Sequence, residues 1–356
     1  MLLEPFYDPN KSYEENFQKG PFGIFANKEK LEDKNNLKFN FLGFKVNSPF
    51  GIAAGPLLNG KFVQAALDKG FDIVTYKTVR NAKYPSHPFP NVLFVKIDGD
   101  LTADIAKSKL VADKNYKEPL SITNSFGVPS SDPEFWQKDI KQILNNIKSG
   151  QILVGAFQGT KKSGQGVEEY INDFGIVAKT LKEIGVKVLE VNFSCPNEGT
   201  NNLLCYDTER SVQVAKAIKK EIGNTPLIIK ISYFKDENAL QNFVKEIGVI
   251  VDGISAINTI SAEIVDENGR QALPGEGRQR SGVCGSAIKW AGLDMVKRLK
   301  NLREKFGYKF TIIGVGGVFT AEDFFEYKNA GADIVMSATG AMWNPYLAKE
   351  IKEKLR

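Results

Sequence analysis

Residues 186–197 hold the groups best suited to chemistry: the apolar run Val186-Lys187-Val188-Leu189-Glu190 leads into Val191-Asn192-Phe193-Ser194-Cys195-Pro196-Asn197. Two carboxamides flank one thiol. Carboxamides offer paired donors and acceptors, a thiol can move a proton, and proline stiffens the loop between them. Together they suit gripping a flat polar heterocycle and deprotonating one of its carbons. The same residues are also compatible with a small buried cysteine at a strand end, which is common.

Other polar groups sit at the ends of similar apolar runs. Lys77-Thr78 closes one, Lys230 lies inside Leu227-Ile228-Ile229-Lys230-Ile231, and Asn258-Thr259 closes another. A lysine is seldom buried unless paired, and often marks a bound anion or electron-rich ring. Its alternative is to snorkel from a strand edge to solvent. Ala54-Gly55 lets the backbone approach a flat ligand. Asn124-Ser125-Phe126-Gly127-Val128-Pro129 adds a further amide followed by a tight turn. Two glycine-rich ends, Gly314-Val315-Gly316-Gly317-Val318 and Ser337-Ala338-Thr339-Gly340-Ala341, could cradle a phosphate with backbone N–H groups, or serve as packing spacers.

The elements that must carry these groups follow from short apolar runs rich in β-branched residues. Eight occur, at 50–54, 72–77, 152–157, 186–193, 226–231, 249–257, 311–315 and 333–338. None alternates cleanly with polar residues, as expected of parallel strands covered on both faces. Amphipathic stretches at 60–69, 166–184, 208–222, 237–247, 286–306 and 320–330 read as helices between them, with caps at Asp207 or Thr208 and at Thr320. Eight such units predict an α/β fold, a (β/α)8 TIM barrel. A doubly wound sheet would want a glycine-rich dinucleotide turn, and Ala53-Ala54-Gly55-Pro56-Leu57 is not one. Residues 1–37 read as an N-terminal extension with one or two short helices, and 38–356 as the barrel. Excursions at 78–150 and 258–285 leave strand C-termini, the face where barrel active sites lie. Phosphate-binding turns after strands seven and eight, two lysines and several amides together suggest flavin mononucleotide (FMN).

These motifs resemble the dihydroorotate dehydrogenase family, specifically its soluble class with a cysteine base. The resemblance runs from about residue 38 to 345. It is carried by Asn192 to Asn197 and Asn124 to Pro129, with Lys77, Lys230, Asn258-Thr259 and Gly316-Gly317 in support. It implies FMN-dependent oxidation of dihydroorotate to orotate in pyrimidine biosynthesis, Cys195 taking the C5 proton while hydride leaves C6 for flavin N5. It implies that Asn124, Asn192, Asn197 and Asn258 hold the pyrimidine edges, near Thr259. The amides of Gly127 and Val128, with Lys77, would hold the carboxylate. On the cofactor side it implies Ala54, Gly55, Lys77, Thr78 and Asn192 around the ring and Lys230 at the N1/O2 edge. Gly285, Gly316, Gly317, Thr339 and Gly340 would serve the ribityl and phosphate. Thr259 stands where a serine is usual, and Thr339-Gly340 reverses a common Gly-Thr order. Residues 258–261 and 281–285 also resemble the pyrimidine-reducing domain of dihydropyrimidine dehydrogenase, a uracil- or thymine-reducing alternative.

Composition excludes several other classes. Lys+Arg 47 against Asp+Glu 42 gives a net charge of +5, with bases and acids interspersed, so no nucleic-acid stripe is expected. Hydrophobic residues at 42% supply a large core, and no run approaches a membrane span. The three cysteines, Cys195, Cys205 and Cys284, form no CxxC pair, so neither a zinc site, a cluster nor a disulfide scaffold is expected, and a reducing cytoplasm fits. Cys284 reads as a packing residue and the single histidine, His87, as structural. The partners expected are a small-molecule substrate and, as is plausible for such barrels, a second copy in a homodimer.

Overall fold

The computed structural model describes residues 2–27, 29–31, 37–194 and 203–355. All eight apolar runs form parallel strands: β1 (Phe50–Ile52), β2 (Ile73–Val79), β3 (Ile152–Phe157), β4 (Val188–Asn192), β5 (Leu227–Ile231), β6 (Gly253–Ala256), β7 (Thr311–Val315) and β8 (Ile334–Ser337). They close into one barrel in chain order, with a helix between each pair. The expected (β/α)8 barrel is therefore the fold. The helices start where the caps put them. Asp207 accepts from the Arg210 amide ahead of Thr208–Ile222, and Thr320 with Asp323 forms a capping box ahead of Ala321–Ala330. The sequence reading assigns no helix to 133–144, yet Asp132-Pro133 begins one, Pro133–Leu144, with proline in its first turn.

The strand alternation decides what the barrel contains. Ile73, Val154, Val188, Ile228, Ile313, Val315, Ile334 and Met336 face inward as one cluster. Following the residue pairings around the ring places side chains in layers from alternate strands. The lowest complete layer is Ile73, Val188, Gly253 and Ile334, below Gly51, Val154, Ile228 and Ile313. Then come Thr75, Glu190, Ser255 and Met336, followed by Ala53, Ala156, Lys230 and Val315. Lys77, Asn192 and Ala338 stand at the mouth. The interior thus changes from apolar to polar halfway up. Below it, a hairpin of Phe39–Phe41 and Phe44–Val46 plugs the barrel with Phe41 and Val46, both fully buried.

The two excursions do more than leave the strand ends. Five short strands drawn from both, Phe94–Val95, Lys109–Asp113, Ser121–Asn124, Ile260–Val265 and Arg280–Gly285, close into a second small barrel over the mouth. Arg280–Gly285 pairs antiparallel with both Ile260–Val265 and Ser121–Asn124, which fixes the two excursions to each other. The N-terminal residues pack on the same side: Phe6 stacks edge-on to Phe25 and Phe62, and Tyr7 and Tyr13 meet Phe126. Among the described residues no helix is long and apolar enough to cross a membrane.

Removing the plug tests this architecture. Phe41→Ala is expected to lower unfolding stability by about 3–5 kcal/mol, the usual cost of deleting a buried phenyl ring. Chemical denaturation should show the transition shifted to lower denaturant with its slope unchanged.

Candidate active site

The polar upper half of the barrel opens into a cavity of ≈ 1130 Å³. Ligand sites commonly span about 300–1,000 Å³, so this one lies just above the upper end of that range. Most of the expected residues line it: Ala54, Gly55, Lys77, Thr78, Asn124, Gly127, Val128, Asn192, Lys230, Asn258 and Thr259. They come from β1, β2, β4 and β5, from the segment after β6, and from the excursion strand Ser121–Asn124 with the turn that follows it. Cys195 and Asn197 lie outside the described residues. Ser194 and Leu203, the described residues on either side of them, both line the cavity.

The two lysines are inward residues, so neither snorkels. Lys77 Nζ donates to the Gly55 carbonyl at 3.2 Å, and Lys230 Nζ donates to the Ala54 carbonyl at 3.2 Å. Both ammonium groups therefore rest on the end of β1, where Gly55 adopts a positive φ of 142°. Burial alone pushes Lys77 down to about 7. The rings of Phe126 and Tyr13 face it at 4.5 and 5.1 Å, stabilising its charged form only weakly. Burial also lowers Lys230, while Glu190 and Cys284 pull it the other way. Two desolvated ammonium groups aimed into one cavity make it a receptor for anionic or electron-rich planar groups.

The amides are held in a chain. The Asn192 carboxamide lies 2.8 Å from that of Gln158, accepts from the Ser194 amide at 3.1 Å and meets Asn258 at 3.5 Å. On the opposite wall, the turn after Asn124 is strained into place. Val128 has a φ of +52°, an outlier for a β-branched residue. Arg80 pins it by donating from Nε to the Val128 carbonyl at 2.9 Å. Arg278 holds the same turn from behind. Its guanidinium donates to the Ser125 carbonyl at 3.1 Å and hydroxyl at 3.0 Å, and to the carbonyls of Pro88, Pro90 and Pro274. His87 packs on Gly127, where a Cβ would meet its ring at 2.5 Å, and lines no part of the cavity. Its pKa is lowered by burial and by Arg278. The structural reading of His87 agrees with that position.

The five residues expected at a phosphate are gathered near one another, beside the cavity rather than among its lining residues. Gly285 and Gly317 are close enough that a Cβ on Gly317 would lie 3.1 Å from the Gly285 carbonyl oxygen. Gly340 sits against the Val318 carbonyl, where a Cβ would approach to 2.1 Å, and Gly316 has a φ of 128°. Thr339 donates its hydroxyl to Cys284 Sγ at 3.4 Å, so that side chain is occupied within the protein. Burial raises the Cys284 thiol to about 11, which keeps it neutral and fits a packing role.

Arg80, Arg278, Glu190 and Tyr13 were not among the sequence-derived candidates. Glu190 carries a usable signal, since it precedes Asn192 by two residues on β4 and must share its face. The arginines carry none, because their acceptors, mostly backbone carbonyls, are brought together only by folding.

A (β/α)8 barrel with a covered, cationic and amide-rich mouth defines an enzyme that acts on a small planar anion. The chain belongs to the dihydroorotate dehydrogenase family: residues 112–356 match the family model described as dihydroorotate dehydrogenase. A dihydroorotate dehydrogenase of Dictyostelium discoideum is 36% identical over 98% of this chain and 96% of its own. The catalytic subunit of dihydroorotate dehydrogenase B (NAD(+)) of Thermodesulfovibrio yellowstonii is 31% identical over 68% of this chain and 74% of its own. The solved structure of DHODH from Eimeria tenella in complex with ferulenol shares the fold, with a TM-score of 0.71 at 19% identity over 93% of this chain and 86% of that one.

The depressed Lys77 carries a pH signature. Unfolded, it holds its proton to about 10.5; folded, it releases it near 7. The fold is therefore penalised below pH 7, and the penalty fades as pH rises towards 10.5. Lys77→Met is expected to raise ligand-free stability at pH 6 by on the order of a few kcal/mol. Denaturation at pH 6, 8 and 10 should show that gain shrinking stepwise.

Proposed function

We propose that this protein oxidises dihydroorotate to orotate in pyrimidine biosynthesis, using FMN and acting as a soluble, cysteine-base member of its family. The observation that carries this reading is the pair of buried lysines, Lys77 and Lys230, resting on successive carbonyls of one strand end and facing a single cavity. Two charges at adjacent positions suit two stacked planar partners, one with a carboxylate and one with an electron-rich N1/O2 edge.

The residues fit such a cofactor. Ala54 and Gly55 leave space for a flat ring, and Lys230 offers its ammonium beside them. The residues Gly285, Gly316, Gly317, Thr339 and Gly340, gathered on the β7–β8 side, would serve a ribityl phosphate through their backbone N–H groups. Bound flavin supplies the acceptor for the hydride leaving C6. On the substrate side, Asn124, Asn192, Asn197 and Asn258 hold the pyrimidine edges with Thr259. Lys77 and the amides of Gly127 and Val128 hold the carboxylate. Cys195 takes the C5 proton. Its segment leaves from Ser194 and returns at Leu203, both on the cavity wall, which supports its placement over the substrate.

Residues 1–37 act as an extension on a barrel of residues 38–356 that works in the cytoplasm, without nucleic acid, as a homodimer. The extension reaches the site, since Tyr13 stands against Lys77.

The purified protein is expected to be yellow, to bleach on anaerobic addition of dihydroorotate, and to show a flavin spectral shift with orotate but not uracil. Cys195→Ser should slow flavin reduction by about 10²–10⁴-fold, the usual contribution of a positioned base, with flavin still bound. The rate should rise with pH as a thiol of pKa ~8.5 ionises. A response to uracil in place of orotate would move the substrate to the uracil-reducing alternative, and full activity in Cys195→Ser would remove that residue as the base.

A further inference from the structure

One layer of the barrel interior is unlike the others. At the height of Thr75, Glu190, Ser255 and Met336, the apolar packing gives way to three polar side chains with almost no access to solvent. Thr75 Oγ1 and Glu190 Oε2 have no hydrogen-bond partner among the described residues, and the Ser255 hydroxyl has the Glu190 carboxyl as a polar neighbour, favouring its ionised form. A buried oxygen left without a partner is costly, most of all on a carboxylate, so this polar layer needs a reason. Lys230 stands in the layer immediately above. Its strand lies between those of Glu190 and Ser255, and Lys230 pairs in register with Asn192 and Ser255. Glu190 also lines the floor of the active-site cavity.

The charges around this carboxyl are few. Lys230 faces it from β5 and raises its ionisation, Lys77 stands at the mouth on β2, and the Cys284 thiol approaches Lys230 from the excursion sheet. Thr75 and Ser255 contribute hydroxyls only. Burial favours the protonated acid, while Lys230 and then the Ser255 hydroxyl favour the carboxylate. The balance between them depends on what else Lys230 faces.

We infer that Glu190 is a positioning residue for Lys230 that takes up a proton when the bound flavin is reduced, freeing the Lys230 charge to pair with the reduced ring. The inference rests on the flavin reading above. While the ring is neutral, the carboxylate is the only anion Lys230 faces among the described groups, and the pair is neutral overall. Reduction delivers two electrons and one proton to the ring, leaving it with one negative charge that competes for Lys230. One further proton, drawn from solvent, then neutralises Glu190. The step consumes two electrons and two protons in total, with the ammonium unchanged.

The test is the pH dependence of the two-electron midpoint potential of the holoenzyme, measured by spectroelectrochemistry through the neutral range. Each proton taken up per electron pair contributes about 30 mV per pH unit. The wild-type protein is expected to show about 60 mV per pH unit, and Glu190→Gln about 30. Glu190→Asp should keep the steeper slope, and a retained flavin spectrum shows that each variant still binds its cofactor. A wild-type slope of about 30 mV per pH unit overturns the inference without needing any variant, and so does a steep slope surviving in Glu190→Gln. In either case a flavoprotein that bleaches with dihydroorotate leaves the functional reading intact. A protein that binds no flavin overturns both.

Discussion

The structure depends on how two ammonium groups are kept inside a barrel. Lys77 and Lys230 point inward from parallel strands whose outer faces are buried under helices, so neither has a route to water past its own strand. Desolvation opposes their charge, and the protein answers with single carbonyls from Ala54 and Gly55, two aromatic faces on Lys77, and a carboxyl one layer beneath Lys230. These are weak compensations for a buried cation. The site is consequently under-compensated until an anionic or electron-rich group enters, and binding energy is stored in that deficit.

Holding the opposite wall is a separate task, and two arginines perform it. Arg278 gathers carbonyls from the 88–90 loop, the 274 turn and Ser125, while Arg80 bonds the Val128 carbonyl and reaches Gly159 and Thr160. Guanidinium groups suit this role because five fixed donors can satisfy several loop carbonyls at once. Without those donors, a strained Val128 would relax towards ordinary backbone angles, and the amides it presents would turn away from the cavity.

Much of this was legible before folding. The eight strands announced themselves as β-branched runs without polar alternation, and Asp207 and Thr320 marked helix starts through their side-chain oxygens. Lys230 could be read as a buried cation because apolar residues flank it on both sides. The second small barrel was not legible. Phe94–Val95 is two residues long, Arg280–Gly285 is broken by glycines and serine, and their pairing joins positions far apart in the chain. Tyr13 beside Lys77 is another long-range meeting, invisible to any local pattern. Glu190 was readable in principle from its spacing to Asn192 but was absorbed into an apolar run. The assignment of Cys195 and Asn197 still rests on their motif, since they lie outside the described residues.

The claim that a desolvated lysine waits for the substrate carboxylate is tested most directly by calorimetry of orotate binding at about pH 8.5, in buffers of differing ionisation enthalpy. With Lys77 near 7 when free and charged when bound, the wild-type protein should take up close to one proton per orotate, and Lys77→Met should take up none. Orotate binding to the wild type without proton uptake would contradict the account.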